Sequence, residues 1–128
     1  MIFSDALEEI GSPSPAPAAR ELRGIGASPG IARGRACVLR DPLAGFPPAP
    51  GEVLVVPAAD PGLTVFFLSA AALVTEVGGV LCHAAIVARE LGLPAVVAAQ
   101  GATKAIATGQ LVEVDGAAGI VRVLEEGR

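Results

Sequence analysis

The chain holds one histidine, His83, which follows a glycine pair, Gly78-Gly79, inside a stretch from Val77 to Val97 that reads VGGVLCHAAIVARELGLPAVV. Ala84 to Leu91 are good helix formers, and Gly92 followed by Pro94 is the usual order of helix stop signals. His83 is therefore expected at or beside a helix N-terminus. Unpaired N–H groups and a partial positive charge at such an end favour phosphate or another anion. A neutral imidazole there is a nucleophile whose phosphorylated form the helix would stabilise. Gly78 and Gly79 let the backbone turn sharply and approach a neighbour or ligand closely.

The residues around His83 each carry a functional and a structural reading. A lone histidine in a domain of this kind is more often structural than catalytic; the glycine turn and helix start favour chemistry here. Cys82 is either a nucleophile in its own right, because thiolates are favoured at helix N-termini, or a packing residue beside the imidazole. Arg89 lies six residues on and well round the helix from His83, so its expected partner is an acidic side chain, with a phosphate reached through a neighbouring loop as the alternative. Thr64 either donates to a phosphate or serves the start of its own helix. Asp115 reads as a turn residue, and Glu8, Glu9, Glu125 and Glu126 as solvated charge.

These residues need a scaffold, and the punctuation of the chain supplies one. Residues 1–21 include the run SPSPAPAA and read as a flexible Pro/Ala-rich tail or linker, so the folded domain is expected over 22–128. From Leu22 a strand, a turn at Ser28-Pro29-Gly30 and a second strand from Ile31 to Leu39 are expected. The glycines there lead into strand-like sequence and do not form a dinucleotide loop, which would open a helix. Asp41 to Gly51 holds four prolines and reads as a loop. Glu52 to Val56 is a buried strand, and Asp60-Pro61 a helix start with Asp60 as N-cap. Leu63, Phe66, Phe67 and Ala70 then follow at helical spacing and lay an apolar face on a sheet. Leu73 to Thr75 and Ala95 to Ala98 are strands on either side of the central helix. Thr103 to Ala107 is one helical turn closed by Gly109, and Leu111 to Val114 with Ile120 to Leu124 form a hairpin around Asp115-Gly116. Strands alternating with short helices make an α/β domain.

Composition excludes several classes of function. The 128 residues are 52% apolar but only 3% aromatic, so the core is one of small side chains, large enough to need no disulfide or metal. A net charge of −4 leaves no basic footprint for nucleic acid or an anionic membrane. One histidine and two distant cysteines, Cys37 and Cys82, do not supply a zinc site, and unpaired cysteines fit a reducing, cytoplasmic setting. The longest apolar run, Val65 to Val74, is too short to span a bilayer.

From Gly78-Gly79 through Cys82-His83-Ala84 and Arg89-Glu90-Leu91-Gly92 to Pro94-Ala95-Val96, the chain resembles the phosphohistidine signature of the phosphoenolpyruvate-utilising enzymes. That group includes phosphoenolpyruvate synthase, pyruvate phosphate dikinase, enzyme I of the sugar phosphotransferase system and rifampicin phosphotransferase. Ala27-Ser28-Pro29-Gly30, Gly51-Glu52-Val53-Leu54-Val55, Asp60-Pro61-Gly62-Leu63-Thr64, Gly109-Gln110 and Val114-Asp115-Gly116 resemble the rest of the same domain in the same order, over roughly Leu22 to Leu124. The resemblance implies a single compact swivelling β/β/α domain whose His83 is transiently phosphorylated, with Gly78, Gly79, Cys82, Thr64 and Arg89 as its supports. It implies an ATP-grasp partner that binds ATP and Mg²⁺, and a separate domain that binds phosphoenolpyruvate, pyruvate or another acceptor. The domain alone is expected to bind no cofactor or metal. It has no glycine-rich nucleotide loop with a following Lys, and no room for a barrel of about 250 residues. Read this way, it is a component of a phosphotransferase and not a complete enzyme. The competing functions are a binding or regulatory module that docks on a dikinase without carrying phosphate, and a thiol enzyme using Cys82.

Overall fold

Val53, Leu54, Val55 and Val56 are all fully buried, which a strand achieves only when both of its faces meet a core. The computed structural model, which describes residues 20–40, 48–58 and 61–125, shows both cores. The tail expected over 1–21 lies outside the described residues except at its end, as do most of the proline loop and the N-cap expected at Asp60. The strands are β1 (Arg20–Arg23), β2 (Ile25–Ser28), β3 (Ile31–Val38), β4 (Val53–Val56), β5 (Ala72–Thr75), β6 (Ala95–Val97), β7 (Leu111–Asp115) and β8 (Ile120–Glu125). The helices are α1 (Thr64–Phe67), entered through a 3-10 turn at Pro61–Leu63, then α2 (His83–Leu91) and α3 (Ala102–Ala105).

Neighbouring strands run in the order β1-β8-β7-β3-β4-β5-β6-β2. Strand β3 belongs to two sheets. Its first half, Ile31 to Arg35, pairs antiparallel with β7, and its second half, Ala36 to Val38, pairs parallel with β4. Between the antiparallel layer and the parallel one lies a core of Val53, Val55, Ala72, Val74 and Val96 against Val112, Val114, Val121 and Val123. The other face of the parallel layer, with Leu54, Val56, Leu73 and Val97, packs on Leu63, Phe67, Ala84, Ala85 and Ala88 from the helical layer. The result is the β/β/α swivelling architecture, and each buried Val or Leu contributes about 1.5–3 kcal/mol to it.

Two expectations change. The first strand is two strands, β1 and β2, which pair with β8 and β6 at opposite ends of the strand order although only Gly24 separates them. The chain crosses between sheets at that residue: the Gly24 amide donates to the Gly119 carbonyl at 2.8 Å, and a Cβ there would run into the carbonyl oxygen of Val97. The helix after Pro61 is also shorter than its spacing predicts, because α1 ends at Phe67; Leu63 and Phe67 are buried, while Phe66 and Ala70 pack only partly. Asp115 is the turn residue expected, its Oδ1 accepting from the amides of Ala117 and Ala118. No helix among the described residues is long and apolar enough to cross a membrane.

Two measurements check this account. Gly24→Ala should lower stability by about 1–3 kcal/mol, seen as a drop of several degrees in the thermal midpoint, because overpacking at a backbone contact forces the sheets apart. On the antiparallel face Glu113 accepts from Arg33 Nε at 2.8 Å and Arg122 Nη1 at 3.1 Å. The hydrogen bond from Arg33, with that from Arg122 behind it, holds this carboxyl below its ordinary range despite the opposing effect of burial. A carboxylate depressed on folding adds stability above its unfolded pKa, about 4.3 for Glu, which is lost as pH falls through the folded value. Glu113→Gln should therefore unfold at lower urea than the parent chain at pH 7, with the gap narrowing as pH falls below about 4.3.

Candidate functional site

Strands β4 and β5 are parallel and adjacent, with Val53↔Ala72 and Val56↔Thr75 in register, so both segments that follow them leave from the same edge of the sheet. From β4 the chain leads to Thr64, the first residue of α1; from β5 it leads through Gly78-Gly79 to His83, the first residue of α2. The two side chains meet there, with Thr64 Oγ1 3.3 Å from His83 Nε2. Whether the hydroxyl donates or accepts depends on the imidazole tautomer. His83 is exposed, so its ring faces solvent at the end of a nine-residue helix.

Helix α2 forms where its signals place it. Ala84, Ala85 and Ala88 form a small-side-chain face that lies on the parallel layer. Gly92 ends the helix in the left-handed region at φ 70°, and the Leu93 amide donates to the Ala88 carbonyl at 2.8 Å. At the other end Cys82 is the N-cap, in extended conformation and without a side-chain cap bond. Its amide donates to the Gly79 carbonyl at 3.1 Å and its carbonyl accepts from the Ile86 amide. The first-turn amides of α2 have no acceptor within the helix and point toward the ground beside His83.

The glycine pair divides its work. Gly78 has φ 129°, a conformation L side chains rarely adopt, and a Cβ there would lie 3.0 Å from Cys82 Sγ. A Cβ on Gly79 would meet nothing within 4 Å. Cys82 is half-buried and packs against the helical-layer core, in keeping with a packing role beside the imidazole. Arg89 corrects the expectation of an ion pair. No acidic partner stands beside it among the described residues; its guanidinium donates to two backbone carbonyls, Val80 at 2.6 Å and Ala27 at 2.7 Å. Helix geometry explains this, because the side chain turns away from His83 and reaches β2 and the glycine turn.

The sequence reading missed Glu76. Its Oε2 accepts from both the amide of Thr103 at 2.8 Å and its hydroxyl at 2.7 Å, tying the start of α3 to the base of the glycine turn. Thr75 Oγ1 donates to the Val77 carbonyl at 2.7 Å on the same turn. Nothing in the spacing pairs Glu76 with Thr103, since the contact spans 27 residues. No group of three His, Cys, Asp or Glu side chains able to hold a metal ion occurs among the described residues.

The model of the family described as PEP-utilising enzyme, mobile domain, matches residues 48–119. An uncharacterized protein of Mycobacterium tuberculosis H37Rv is 49% identical over 129 aligned residues, covering 97% of this chain and 14% of that protein. The probable phosphoenolpyruvate synthase of Archaeoglobus fulgidus is 47% identical over 100 residues, covering 78% of this chain and 13% of that protein. The chain thus spans only about a seventh of the length of these relatives. Among solved structures, the solution structure of Enzyme I superposes with a TM-score of 0.51 at 38% identity, covering 56% of this chain and 30% of that one.

If Thr64 orients the imidazole, Thr64→Val should free the ring with little cost to folding. The His83 ring 15N shifts should move toward those of an unbonded imidazole, while the thermal midpoint changes by less than that expected for about 1 kcal/mol.

Proposed function

Because this chain belongs to the mobile-domain family of the PEP-utilising enzymes, we propose that His83 takes a phosphoryl group at one active site and gives it up at another. The observation that carries this reading is an exposed imidazole at the first position of α2, with Thr64 Oγ1 3.3 Å from its Nε2. With the hydroxyl donating, Nδ1 carries the proton and the Nε2 lone pair accepts from Thr64, which is the tautomer a nucleophilic Nε2 requires; that hydrogen bond opens as the lone pair turns to phosphorus. The lone pair forms the P–N bond as the P–O bond to the departing nucleotide phosphate breaks. In the second half the P–N bond breaks as an acceptor oxygen bonds to phosphorus. After the first step the Thr64 hydroxyl and the amides at the start of α2 are the donors nearest the new anion.

Those donors steady a phosphohistidine and do not make an ATP site. A helix N-terminus is worth about 0.3–1 kcal/mol toward an anion, whereas phosphoryl transfer is driven by positioning and by cations around the triphosphate. The ATP and Mg²⁺ therefore belong to an ATP-grasp partner, and phosphoenolpyruvate, pyruvate or another acceptor to a further domain. A cytoplasmic setting goes with that reading, as do the free cysteines Cys37 and Cys82.

The test is radiolabel transfer from ATP carrying label in its β- and γ-phosphates, with and without a cognate ATP-grasp polypeptide. The chain should be labelled only when that partner is present. The label should be released by acid, retained in base and absent from His83→Ala. Strong autophosphorylation of the isolated chain, or an acid-stable, base-labile mark on serine or threonine, would overturn the proposal.

A further inference from the structure

The base of the turn that leads to His83 is anchored, with the Val77 amide donating to the Pro57 carbonyl at 3.2 Å and Glu76 bound to Thr103, but the residues beyond it have few anchors of their own. Gly78 sits at φ 129° against Cys82 and Val97, but the space beside Gly79 is open and the side chains of Val80 and Leu81 are 48% and 80% exposed, so the three residues before Cys82 are not held by packing. The Cys82 amide bonded to the Gly79 carbonyl is a local contact, which fixes the shape of the turn but not its place on the sheet.

Arg89 supplies the longer tie. One end of its fork, Nη1, donates to the Ala27 carbonyl of β2 at 2.7 Å; the other, Nη2, donates to the Val80 carbonyl at 2.6 Å. Strand β2 is a fixed point, because it pairs antiparallel with β6 and Ala27 is buried. Both distances are in the short range of charge-assisted hydrogen bonds, and a planar guanidinium can serve two carbonyls at once where an ammonium, as a point charge, is less suited. We infer that Arg89 is a positioning residue that clamps the glycine turn to β2, and thereby fixes the start of α2 and the His83 ring beside Thr64. Its charge is engaged by carbonyls and is not the cation that meets the phosphate. The consequence for phosphoryl transfer rests on the relay reading above; the clamp itself does not.

The experiment is amide hydrogen exchange with His83 ring 15N shifts, recorded on the unphosphorylated chain, so that a failure of the relay reading would leave this test intact. In Arg89→Gln and Arg89→Lys the amides of Val80 to Ala84 should exchange about tenfold faster or more, the scale of losing one charge-assisted hydrogen bond, while those of β4 keep their protection. The His83 ring shifts should move in both. Gly79→Ala, which meets no neighbour, should slow the turn amides by about two- to fivefold in the Arg89→Gln background by narrowing the freedom of the loosened turn. Unchanged turn protection in Arg89→Lys would mean that charge alone suffices and would overturn the clamp. So would acceleration of β4 in step with the turn in both variants, which would mark a general loss of stability.

Discussion

The site depends on the burial of β4 and β5 on both faces. A strand covered on one side can slip or tilt toward solvent, but Val53 to Val56 and Ala72 to Val74 are each fully buried, with alternate side chains committed to different cores. Slipping either strand by one residue would exchange its two sets of side chains between cores of different shape. The ends of the two strands are therefore fixed relative to one another, and so are the segments that leave them. Thr64 and His83 stand nineteen residues apart in the chain and meet because those segments start side by side. The crevice beyond the carboxyl ends of parallel strands is where α/β sheets bind ligands for this same reason.

Small side chains make the third layer possible. Ala84, Ala85 and Ala88 bring α2 down onto the parallel sheet, and the helix needs no aromatic residue to do so. Close approach recurs at Gly24, where the chain passes from one sheet to the other against the Val97 carbonyl, and at Gly116, where a Cβ would collide with the Ser28 carbonyl. A core built from Ala and Val leaves little slack. A bulkier side chain at any of these contacts would separate layers that the functional turns need held together.

Much of this was legible in the sequence, and the limits have a physical pattern. Helix α2 carries local signals at both ends, and its boundaries follow them: good helix formers, a left-handed Gly92 and then Pro94. Strands β4 to β8 were legible as short apolar runs between turn residues. The split at Gly24 was not, because it is dictated by β8 and β6, strands far away in the chain. The early end of α1 was not legible either, since Phe66 and Ala70 keep helical spacing past the point where the helix stops. His83 stood out as the one imidazole beside a glycine pair, whereas the partners of Arg89 are backbone carbonyls, which every residue has and no residue type announces. Spacing shows which side chain is available; it does not show which peptide group it will meet.

The same bonds bear on how charge is distributed around the histidine. Each arginine whose side chain is described is already engaged: Arg23, Arg33 and Arg122 with Glu21 and Glu113, Arg35 with the Gly109 carbonyl, Arg40 with the Thr103 carbonyl, and Arg89 with Val80 and Ala27. Recruiting Arg40 or Arg89 to a phosphate would leave a backbone carbonyl without its donor, while Arg23, Arg33 and Arg122 stand on strands of the antiparallel layer. Among the described residues, what remains beside His83 is the Thr64 hydroxyl and the amides of a helix start, groups that tolerate an anion without binding it tightly. In a phosphoryl relay that balance is an advantage, because an intermediate held too firmly would not be handed on.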